Sequence, residues 1–196
     1  MDPHRHGARQ PERFDPERAA ALDDPSRFAY LPVQDVLSLL DIPQGGLWVD
    51  FGAGTGAYAR AIARLRPDAA VVALDEQPPM LALLQAALDR EKLANIKPAL
   101  STPREIASLR GRADRVLALN VLHEIGDASL GDLASLLKTG GKAVFIDWNA
   151  SVDRPVGPPK GHVFSPSEGR SRLESFGWSI LAASSFPYHY ALVGAL

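Results

Sequence analysis

The chain has 196 residues with 21 basic and 23 acidic side chains, a formal charge of −2 and no cysteine. This length predicts one domain with terminal additions, and the missing thiols exclude disulfides, thiolate metal sites and cysteine nucleophiles. No basic stripe could neutralise phosphates, and no apolar run could cross a membrane or direct secretion. We therefore expect a cytoplasmic protein without nucleic-acid or membrane partners. We expect it to be a monomer or a homodimer.

The N-terminal region is predicted to be helical and to lie outside the sheet. Residues 1–12 form a polar tail, expected to be disordered, in which His4 and His6 are too few ligands for a metal site. Residues 13–42 are expected to form a helical cap, because scattered apolar residues precede a segment at 32–40 with helical spacing. We expect its short first helices to lie across the ligand-binding face.

A glycine loop between a strand and a helix is the strongest functional signal in the chain. The apolar run at 47–51 predicts the strand, and the alanine-rich run at 57–63 predicts the helix. Between them, Gly52, Gly54 and Gly56 allow positive φ angles and keep Cβ atoms away from a ligand. The helix then points unpaired N–H groups and the positive end of its dipole over the loop, so the loop suits a negatively charged group.

The next predicted strand ends in two carboxylates. Ala69–Leu74 is apolar, Asp75 and Glu76 follow it, and Asp75 lies 23 residues after Gly52. In a strand–helix–strand unit this carboxylate reaches the carboxyl edge of the neighbouring strand, where it can accept two hydrogen bonds from a ribose diol. The loop and the carboxylate together predict a nucleoside-binding half-site. The alternative is a structural loop beside an acidic strand end.

Alternating helices and strands continue through the rest of the chain and predict a doubly wound α/β fold. The helix after the glycine loop is expected to bury Ile62 and Leu65, and the helix from Pro78 to bury an apolar face that includes Leu83. Pro98 restricts the third strand to a sheet edge. The later elements are expected as a helix at 103–109, a strand at 114–119, a helix that contains Leu130 to Leu137 and is closed by Gly140-Gly141, a strand at 143–146, a helix from Ser165 to Phe176, and strands at 178–184 and 188–194.

Polar residues at the carboxyl end of the fourth strand are the candidate reacting groups. In a doubly wound sheet, ligands lie beyond the carboxyl ends of the strands where the strand order reverses, and strands one and four flank that point. Asn120 and His123 follow strand four. His123 is the candidate general base, and the alternative is a packing or helix-capping histidine. Asp147, after strand five, is predicted either to orient a substrate or to close a loop. The Pro- and Gly-rich loop at 151–161 is expected to cover the pocket and to place His162 beside it.

Four motifs follow one another over about 100 residues: V-D-F-G-A-G-T-G at 49–56, A-L-D-E at 73–76, N-V-L-H-E-I at 120–125 and G-G-K-A-V-F-I-D-W at 140–148. In their order and spacing they resemble the class I S-adenosylmethionine-dependent methyltransferases. The resemblance implies a single domain at 13–196 with a Rossmann-like, doubly wound, mostly parallel sheet of seven strands in the order 3-2-1-4-5-7-6. The last strand would be antiparallel, helices would cover both faces, and S-adenosylmethionine would be the cofactor.

The resemblance also implies roles for the residues of the predicted half-site. Gly52, Ala53 and Gly54 would pass under the methionine part of the cofactor, and Asp50 would lie near its amino group. Asp75 would hold the ribose hydroxyls. The remaining roles would be Glu76 to Met80 at the adenine border, Ser101 and Thr102 near the adenine ring, where many members of the family carry Asp, and Asn120 beneath the methionine close to the sulfonium.

A later segment points to a subgroup of the same family. Gly157-Pro158-Pro159, followed by His162 and Ser165 ahead of a helix, is similar to the quinone-biosynthesis C-methyltransferases and the arsenite methyltransferases. The absence of cysteine counts against arsenite methylation, because that subgroup resembles thiol-dependent enzymes. The N-V-L-H motif also differs from the N-P-P-Y and D-P-P-Y signatures of enzymes that methylate amide or base nitrogens, which disfavours those acceptors.

The sequence therefore predicts an S-adenosylmethionine-dependent methyltransferase that acts on a small-molecule acceptor. One alternative is an NAD(P)-dependent oxidoreductase, because G-A-G-T-G-A satisfies the dinucleotide pattern G-x-G-x-x-G/A. Against it, the loop begins only after about 45 residues and little chain is left for a substrate domain. The other alternative is a regulator that binds S-adenosylmethionine without catalysis, because no residue is an indispensable catalyst.

Overall fold

The computed structural model describes residues 14–196. The tail predicted at 1–12, with His4 and His6, lies outside the described residues. The described part begins with a helical N-terminal segment, whose first element is a 3₁₀ helix at Pro16–Leu22, and then alternates strands and helices. All of its helices are too short or too polar to span a lipid bilayer.

Seven strands of the described chain form one sheet, as the sequence predicted. They are β1 (Leu47–Phe51), β2 (Ala70–Asp75), β3 (Ile96–Leu100), β4 (Ala113–Leu119), β5 (Leu137–Trp148), β6 (Ser179–Ser185) and β7 (His189–Ala195). Their order is β3-β2-β1-β4-β5-β7-β6, with parallel pairs from β3 to β5 and β7 antiparallel to both of its neighbours. The predicted fold class, strand order and edge position of β3 are confirmed.

Helices cover both faces of this sheet. They are α1 (Arg27–Tyr30), α2 (Val33–Leu40), α3 (Ala57–Leu65), α4 (Pro78–Glu91), α5 (Pro103–Leu109), α6 (Asp127–Leu136) and α7 (Pro166–Ser175). Helices α2, α3 and α4 share one buried core, which includes Leu40, and α5, α6 and α7 share the other, which includes Leu133. Because strand side chains alternate, Trp48 of β1 enters the first core and Val49 the second. The central strands are therefore buried on both sides, and only their ends are available for a site.

The boundary between α6 and β5 differs from the prediction. The helix ends at Leu136, and Leu137 already belongs to β5, where it pairs with Ala113 of β4. Gly140-Gly141 therefore lies within the strand and does not close the helix. Pairing with β4 explains why these glycines lie in the strand. A Cβ atom on Gly141 would lie 3.0 Å or less from the carbonyl oxygens of Lys138 and Ala113. Glycine at this position permits the close approach of the two strands.

Two leucines that were expected to be buried are exposed. Leu65 of α3 is 45% exposed, and Leu83 of α4 is 46% exposed. Each lies about a quarter-turn away from the centre of the buried stripe of its helix, as an advance of about 100° per residue dictates. Ile62 and Leu84 occupy the core positions of α3 and α4 instead, and both are fully buried. The apolar stripes are thus narrower than the sequence suggested.

Ion pairs attach the N-terminal segment, residues 14–30, to the rest of the chain beside the glycine loop. Arg60 of α3 is 8% exposed and forms ion pairs with Asp23 and, at 2.5 Å, with Glu91 of α4. The Thr55 hydroxyl of the loop also donates to Asp23, at 3.1 Å. One buried guanidinium therefore joins the segment to two core helices.

We expect Arg60→Met to destabilise the protein by roughly 3 kcal/mol, because two carboxylates then lose a buried cationic partner. Arg64→Met is the matched control: Arg64 also contacts Glu91 but is half-exposed, so its loss should cost less than about 1 kcal/mol. Urea unfolding measures both changes, and hydrogen exchange should report faster opening of residues 16–23 only in the Arg60 variant. Equal effects of the two substitutions would contradict this account.

Candidate functional site

A cleft opens at the carboxyl ends of the central strands. The loops that follow β1, β2 and β4 line it, together with the N-terminal segment and residues 155–164 of the chain after β5. The strand order reverses between β1 and β4, and this reversal creates the crevice in which doubly wound sheets bind ligands. The position of the cleft is the one that the sequence predicted.

Nearly all predicted site residues meet in this cleft. Those that line it are Asp50, Gly52, Ala53, Gly54, Asp75, Glu76, Ser101, Asn120 and His123. Thr102 has a structural role, because its hydroxyl caps α5 by accepting a hydrogen bond from the backbone N–H of Glu105 at 3.2 Å. Of the two residues predicted near an adenine ring, Ser101 is thus the one whose side chain lies at the cleft.

The loop after β1 forms a backbone cradle against the neighbouring strand. Gly52 has a φ of +77°, and the N–H groups of Gly52 and Ala53 both donate to the carbonyl oxygen of Leu74 at 2.8 Å. A Cβ atom on Gly52 would lie 2.5 Å from a methyl carbon of Val121 in the loop after β4. Glycine is therefore required here both by the backbone angle and by the close approach of the two loops.

Asp75, at the end of β2, is held by two backbone donors. Its Oδ2 accepts from the N–H of Gly54 at 2.7 Å, and its Oδ1 accepts from the N–H of Gln77 at 2.8 Å. Burial raises the pKa of Asp75, whereas the hydrogen bonds from Gln77 and Gly54 oppose that rise. The carboxylate is thus fixed in direction, and each oxygen keeps a lone pair that can accept a ligand hydroxyl.

Asp50 is a buried carboxyl beneath the same loop. It is 4% exposed, and burial raises its pKa to about 7. The negative charge of Asp75 adds to the rise, and the positive charge of Arg27 opposes it. A cation placed beside Asp50 would lower this pKa and restore the charge. The side chain is therefore prepared for a positively charged ligand.

Asn120 lies at the end of β4 in a backbone conformation that few residues adopt. Its φ is +60°, which Asn tolerates better than most residues, and its N–H donates to the carbonyl oxygen of Ile146 at 2.7 Å. Its side-chain Oδ1 is buried and has no hydrogen-bond partner among residues 14–196. A buried acceptor without a donor is costly, so this oxygen fits contact with a bound ligand.

His123 and Asp147 form a buried pair across the ends of β4 and β5. The Nδ1 atom of His123 lies 2.7 Å from Oδ1 of Asp147, and the backbone N–H of His123 donates to Oδ2 at 2.9 Å. Burial by itself lowers the pKa of His123, but the Asp147 carboxylate and, more weakly, Glu124 raise it to about 9. The ring is therefore cationic at neutral pH, and Asp147 fixes its orientation.

Tyr30 and Trp148 form an aromatic wall on the other side of the cleft, and His189 and Arg154 contact Trp148. The Tyr30 ring stacks on the ring of His189 at 5.8 Å, and His189 lies 4.0 Å from the Trp148 ring between their centroids. Burial, together with the charges of Arg27, Arg154 and His123, lowers the pKa of His189 to about 3, so its ring is neutral. The guanidinium of Arg154 lies 5.2 Å from the Trp148 ring. This wall therefore suits a largely apolar group.

Sequence reasoning missed Arg27, which lines the cleft, and also Arg154 and His189, which contact Trp148 of its aromatic wall. Each reaches the site by tertiary packing, from the N-terminal segment, the loop after β5 and the last strand, and no local pattern marks them. The only available signal was that an arginine lies within a Pro- and Gly-rich loop expected to cover the pocket. Within the part of the chain that the structure describes, no group of three or more His, Asp or Glu side chains could hold a metal ion.

Comparison with protein families finds one match, to the family described as a methyltransferase domain, over residues 49–141. This segment holds the glycine loop, Asp75, Asn120 and His123. No curated protein matches the chain.

Solved structures give the same fold. A SAM-dependent methyltransferase from Aquifex aeolicus is 25% identical, with a TM-score of 0.86 over 93% of this chain and 98% of that one. A precorrin-6y C5,15-methyltransferase from Geobacter metallireducens is 17% identical, with a TM-score of 0.60 over 83% of this chain and 86% of that one. The [4+2]-cyclase SpnF is 18% identical, with a TM-score of 0.69 over 81% of this chain and 60% of that one.

The chain thus carries a methyltransferase domain in the Rossmann-like fold of methyltransferases. This match, together with the fold, implies S-adenosylmethionine as the cofactor.

The His123–Asp147 pair predicts a pH dependence of stability. A histidine whose pKa is raised on folding stabilises the protein fully below its unfolded value of about 6.5, and this stabilisation disappears as the pH rises through about 9. We expect His123→Gln to cost about 3 kcal/mol at pH 6 and much less at pH 9.5, as urea unfolding at both pH values would show. Exposed His162→Gln is the control. A cost independent of pH would contradict the ion pair.

Proposed function

We propose that this chain transfers a methyl group from S-adenosylmethionine to a small-molecule acceptor within the cleft. The observation that carries the proposal is the convergence of Asp50, Asp75 and Asn120 on the glycine loop, with the buried Asn120 oxygen lacking a partner among the described residues. Such acceptors fit a ligand that presents an ammonium group, a ribose diol and a sulfonium. When bound, S-adenosylmethionine supplies a methyl group that its positive sulfur already activates.

The proposed cofactor site follows from the direction of these side chains. Asp50 would pair with the amino group, Asp75 would accept from the ribose hydroxyls, and Gly52 to Gly54 would leave room for the methionine part. Glu76 and Ser101 line the same end of the cleft, which supports their place beside the adenine. Thr102 would support the adenine end of the cleft only indirectly, because its hydroxyl caps α5.

His123 is the proposed general base, with Asp147 holding its ring. Because its pKa is about 9, the form that can accept a proton grows about tenfold per pH unit up to that value. A positioned base contributes about 10²- to 10⁴-fold, whereas alignment of the reactants supplies up to roughly 7–11 kcal/mol. Loss of His123 would therefore slow transfer without abolishing it, and the closed cleft would provide the larger effect.

The proposed acceptor binds on the aromatic side of the cleft. Trp148, His162 and the Gly157-Pro158-Pro159 segment line this side, and this segment carries the resemblance to the quinone-biosynthesis C-methyltransferases. These side chains support a small, largely apolar acceptor that the loop after β5 covers. The same fold occurs in a [4+2]-cyclase, so the reaction has to be argued from this site and not from the sheet.

The strand order favours a methyltransferase over the dinucleotide-dependent alternative. Dinucleotide-binding sheets are typically all parallel in the order 3-2-1-4-5-6, whereas here the antiparallel β7 lies between β5 and β6. The proposal and both alternatives are separated by calorimetric titration with S-adenosylmethionine and with NADH, followed by a methyl-acceptor screen. Binding of NADH alone would support the oxidoreductase, and cofactor binding without any acceptor turnover would support the regulator.

We expect Asp75→Ala to weaken S-adenosylmethionine at least tenfold, because the ribose hydroxyls lose their acceptor and the N–H of Gly54 loses its partner. Calorimetry measures the affinity, and thermal unfolding without ligand shows whether the variant is folded. The control is Asp89→Ala, which removes an exposed carboxyl from α4, outside the cleft, and this variant should bind normally. Unchanged affinity of the Asp75 variant would remove this residue from the site.

The raised pKa of Asp50 predicts that cofactor binding is linked to a proton. Below pH 7 the carboxyl is largely protonated, and an ammonium group favours its ionised form, so binding should release close to one proton. The affinity for S-adenosylhomocysteine should rise up to tenfold from pH 6 to pH 7 and then level off. Calorimetry in buffers of different ionisation enthalpy counts the protons. Asp50→Asn should bind weakly at every pH, and a retained pH slope in this variant would assign the proton elsewhere.

A further inference from the structure

One edge of the Arg154 guanidinium has no hydrogen-bond partners. Arg154 belongs to the loop after β5, and its guanidinium lies 5.2 Å from the ring of Trp148. Its Nη1 donates to the carbonyl oxygen of Val156 at 2.9 Å. Its Nε and Nη2 are buried and have no hydrogen-bond partner among residues 14–196. These two nitrogens share one edge of the guanidinium, and their parallel N–H groups match the two oxygens of a carboxylate.

The charge of this guanidinium is also incompletely compensated. Burial lowers the pKa of Arg154, and the Asp147 carboxylate opposes that decrease. Asp147 is engaged elsewhere, because its Oδ1 contacts Nδ1 of His123 and accepts from the N–H of Trp148. Its Oδ2 accepts from the backbone N–H of His123. A half-buried cation with two unpaired donors is costly, and a bound anion would remove that cost.

Two other arginines with a buried, unpaired Nε lack this free edge. Arg60 uses both of its Nη atoms in ion pairs with carboxylates. Arg172 donates from Nη2 to the carbonyl oxygen of Ile125 at 2.6 Å, so Nε is the one unpaired atom of that edge. Among residues 14–196, Arg154 is therefore the arginine with a whole buried edge available to a planar anion.

The free edge lies in the loop that covers the proposed acceptor site. Residues 153–160 line a cavity of about 330 Å³, and residues 155–160 also line the main cleft. Trp148, which the guanidinium contacts, lines that cleft as well. Residues 155–157 are exposed, so movement of the loop breaks few contacts and can admit a ligand to the guanidinium. An apolar molecule packed against Trp148 would thus present an attached carboxylate to Arg154.

We propose that the loop after β5 is a carboxylate-binding subsite, in which Nε–H and Nη2–H of Arg154 bind a carboxylate that the methyl acceptor carries beside an apolar body. This inference rests on the proposed function and narrows its small-molecule acceptor to an amphipathic organic acid. The loop lies outside the segment at 49–141 that matches the methyltransferase family. The bound carboxylate would hold the apolar body against Trp148 and keep the loop closed over it.

The test compares benzoate with benzamide, which has a similar shape and no charge. Titrations followed by NMR at neutral pH give the dissociation constant of each probe. We expect the wild-type chain to prefer benzoate by about 10- to 100-fold, the usual value of hydrogen bonds to a charged group. Acetate, which lacks the apolar body, should bind more weakly than benzoate. In Arg154→Gln the preference for benzoate over benzamide should fall to about one.

Two further variants make the test specific. Lys160→Gln removes a cation from the same cavity, but the Lys160 ammonium pairs with Asp153 at 2.6 Å, so this variant should keep the wild-type preference. Arg154→Lys retains the charge and loses the fork, so an intermediate preference is expected. Thermal unfolding without ligand checks that each variant is folded, and the Lys variant carries the test if the Gln variant is not.

Competition with S-adenosylhomocysteine locates the bound probe. This product carries a carboxylate of its own, so a probe that entered the cofactor site would be displaced by it. Benzoate bound by Arg154 should keep its affinity when S-adenosylhomocysteine is saturating. Displacement of benzoate would overturn the inference.

The other outcomes are equally decisive. A wild-type chain without preference for benzoate overturns the inference, and so does a preference that survives in Arg154→Gln or is lost equally in Lys160→Gln. Acetate that binds as tightly as benzoate would show a site for free small anions and would overturn the assignment to the acceptor. A chain that prefers benzoate through Arg154 but binds neither S-adenosylmethionine nor its product would refute the proposed function alone.

Discussion

The site depends on the parallel pairing of β1 with β2, which places two carboxyl groups at one edge of the sheet. Asp50 pairs in register with Ala73, two residues before Asp75, so both side chains reach the same end of the cleft. Burial and mutual repulsion disfavour their ionised forms, as the pKa of about 7 for Asp50 shows. A ligand with positive charge and hydroxyl donors would relieve this arrangement, and S-adenosylmethionine has both.

The remaining charges of the cleft are arranged around this pair. Arg27 approaches from the N-terminal segment, and the cationic His123 is held by Asp147 on the side proposed for the acceptor. The neutral ring of His189 packs against Tyr30 and Trp148 of the aromatic wall and adds no charge. In the proposed reaction a methyl group would pass from a positive sulfur to an acceptor, and a cleft with an acidic floor and an aromatic wall would suit both partners.

The N-terminal segment links stability to the proposed binding function. It lies outside the sheet and holds few buried residues of its own, yet it lines the cleft on the cofactor side. Its attachment combines the ion pair of Asp23 with Arg60 and the packing of Phe28 against Tyr58. Because so few of its residues are buried, we expect this segment to open before the core does. Cofactor contacts from this segment would therefore stabilise both the segment and the bound state.

Much of this protein was determined by the sequence alone, because the relevant physics is local. Glycine at 52 and 54, an acid at the end of β2 and the alternation of strands and helices are local signals, and they predicted a doubly wound fold and the position of the cleft. The strand order was implied by the resemblance of the motifs to a known family. Tertiary structure decided what depends on distant groups. Pairing with Ala113 starts β5 at Leu137, and packing of the N-terminal segment brings Arg27 to the cleft. Burial sets the pKa values of Asp50 and His123. These features depend on the dielectric environment and on long-range contacts, which are properties of the folded chain.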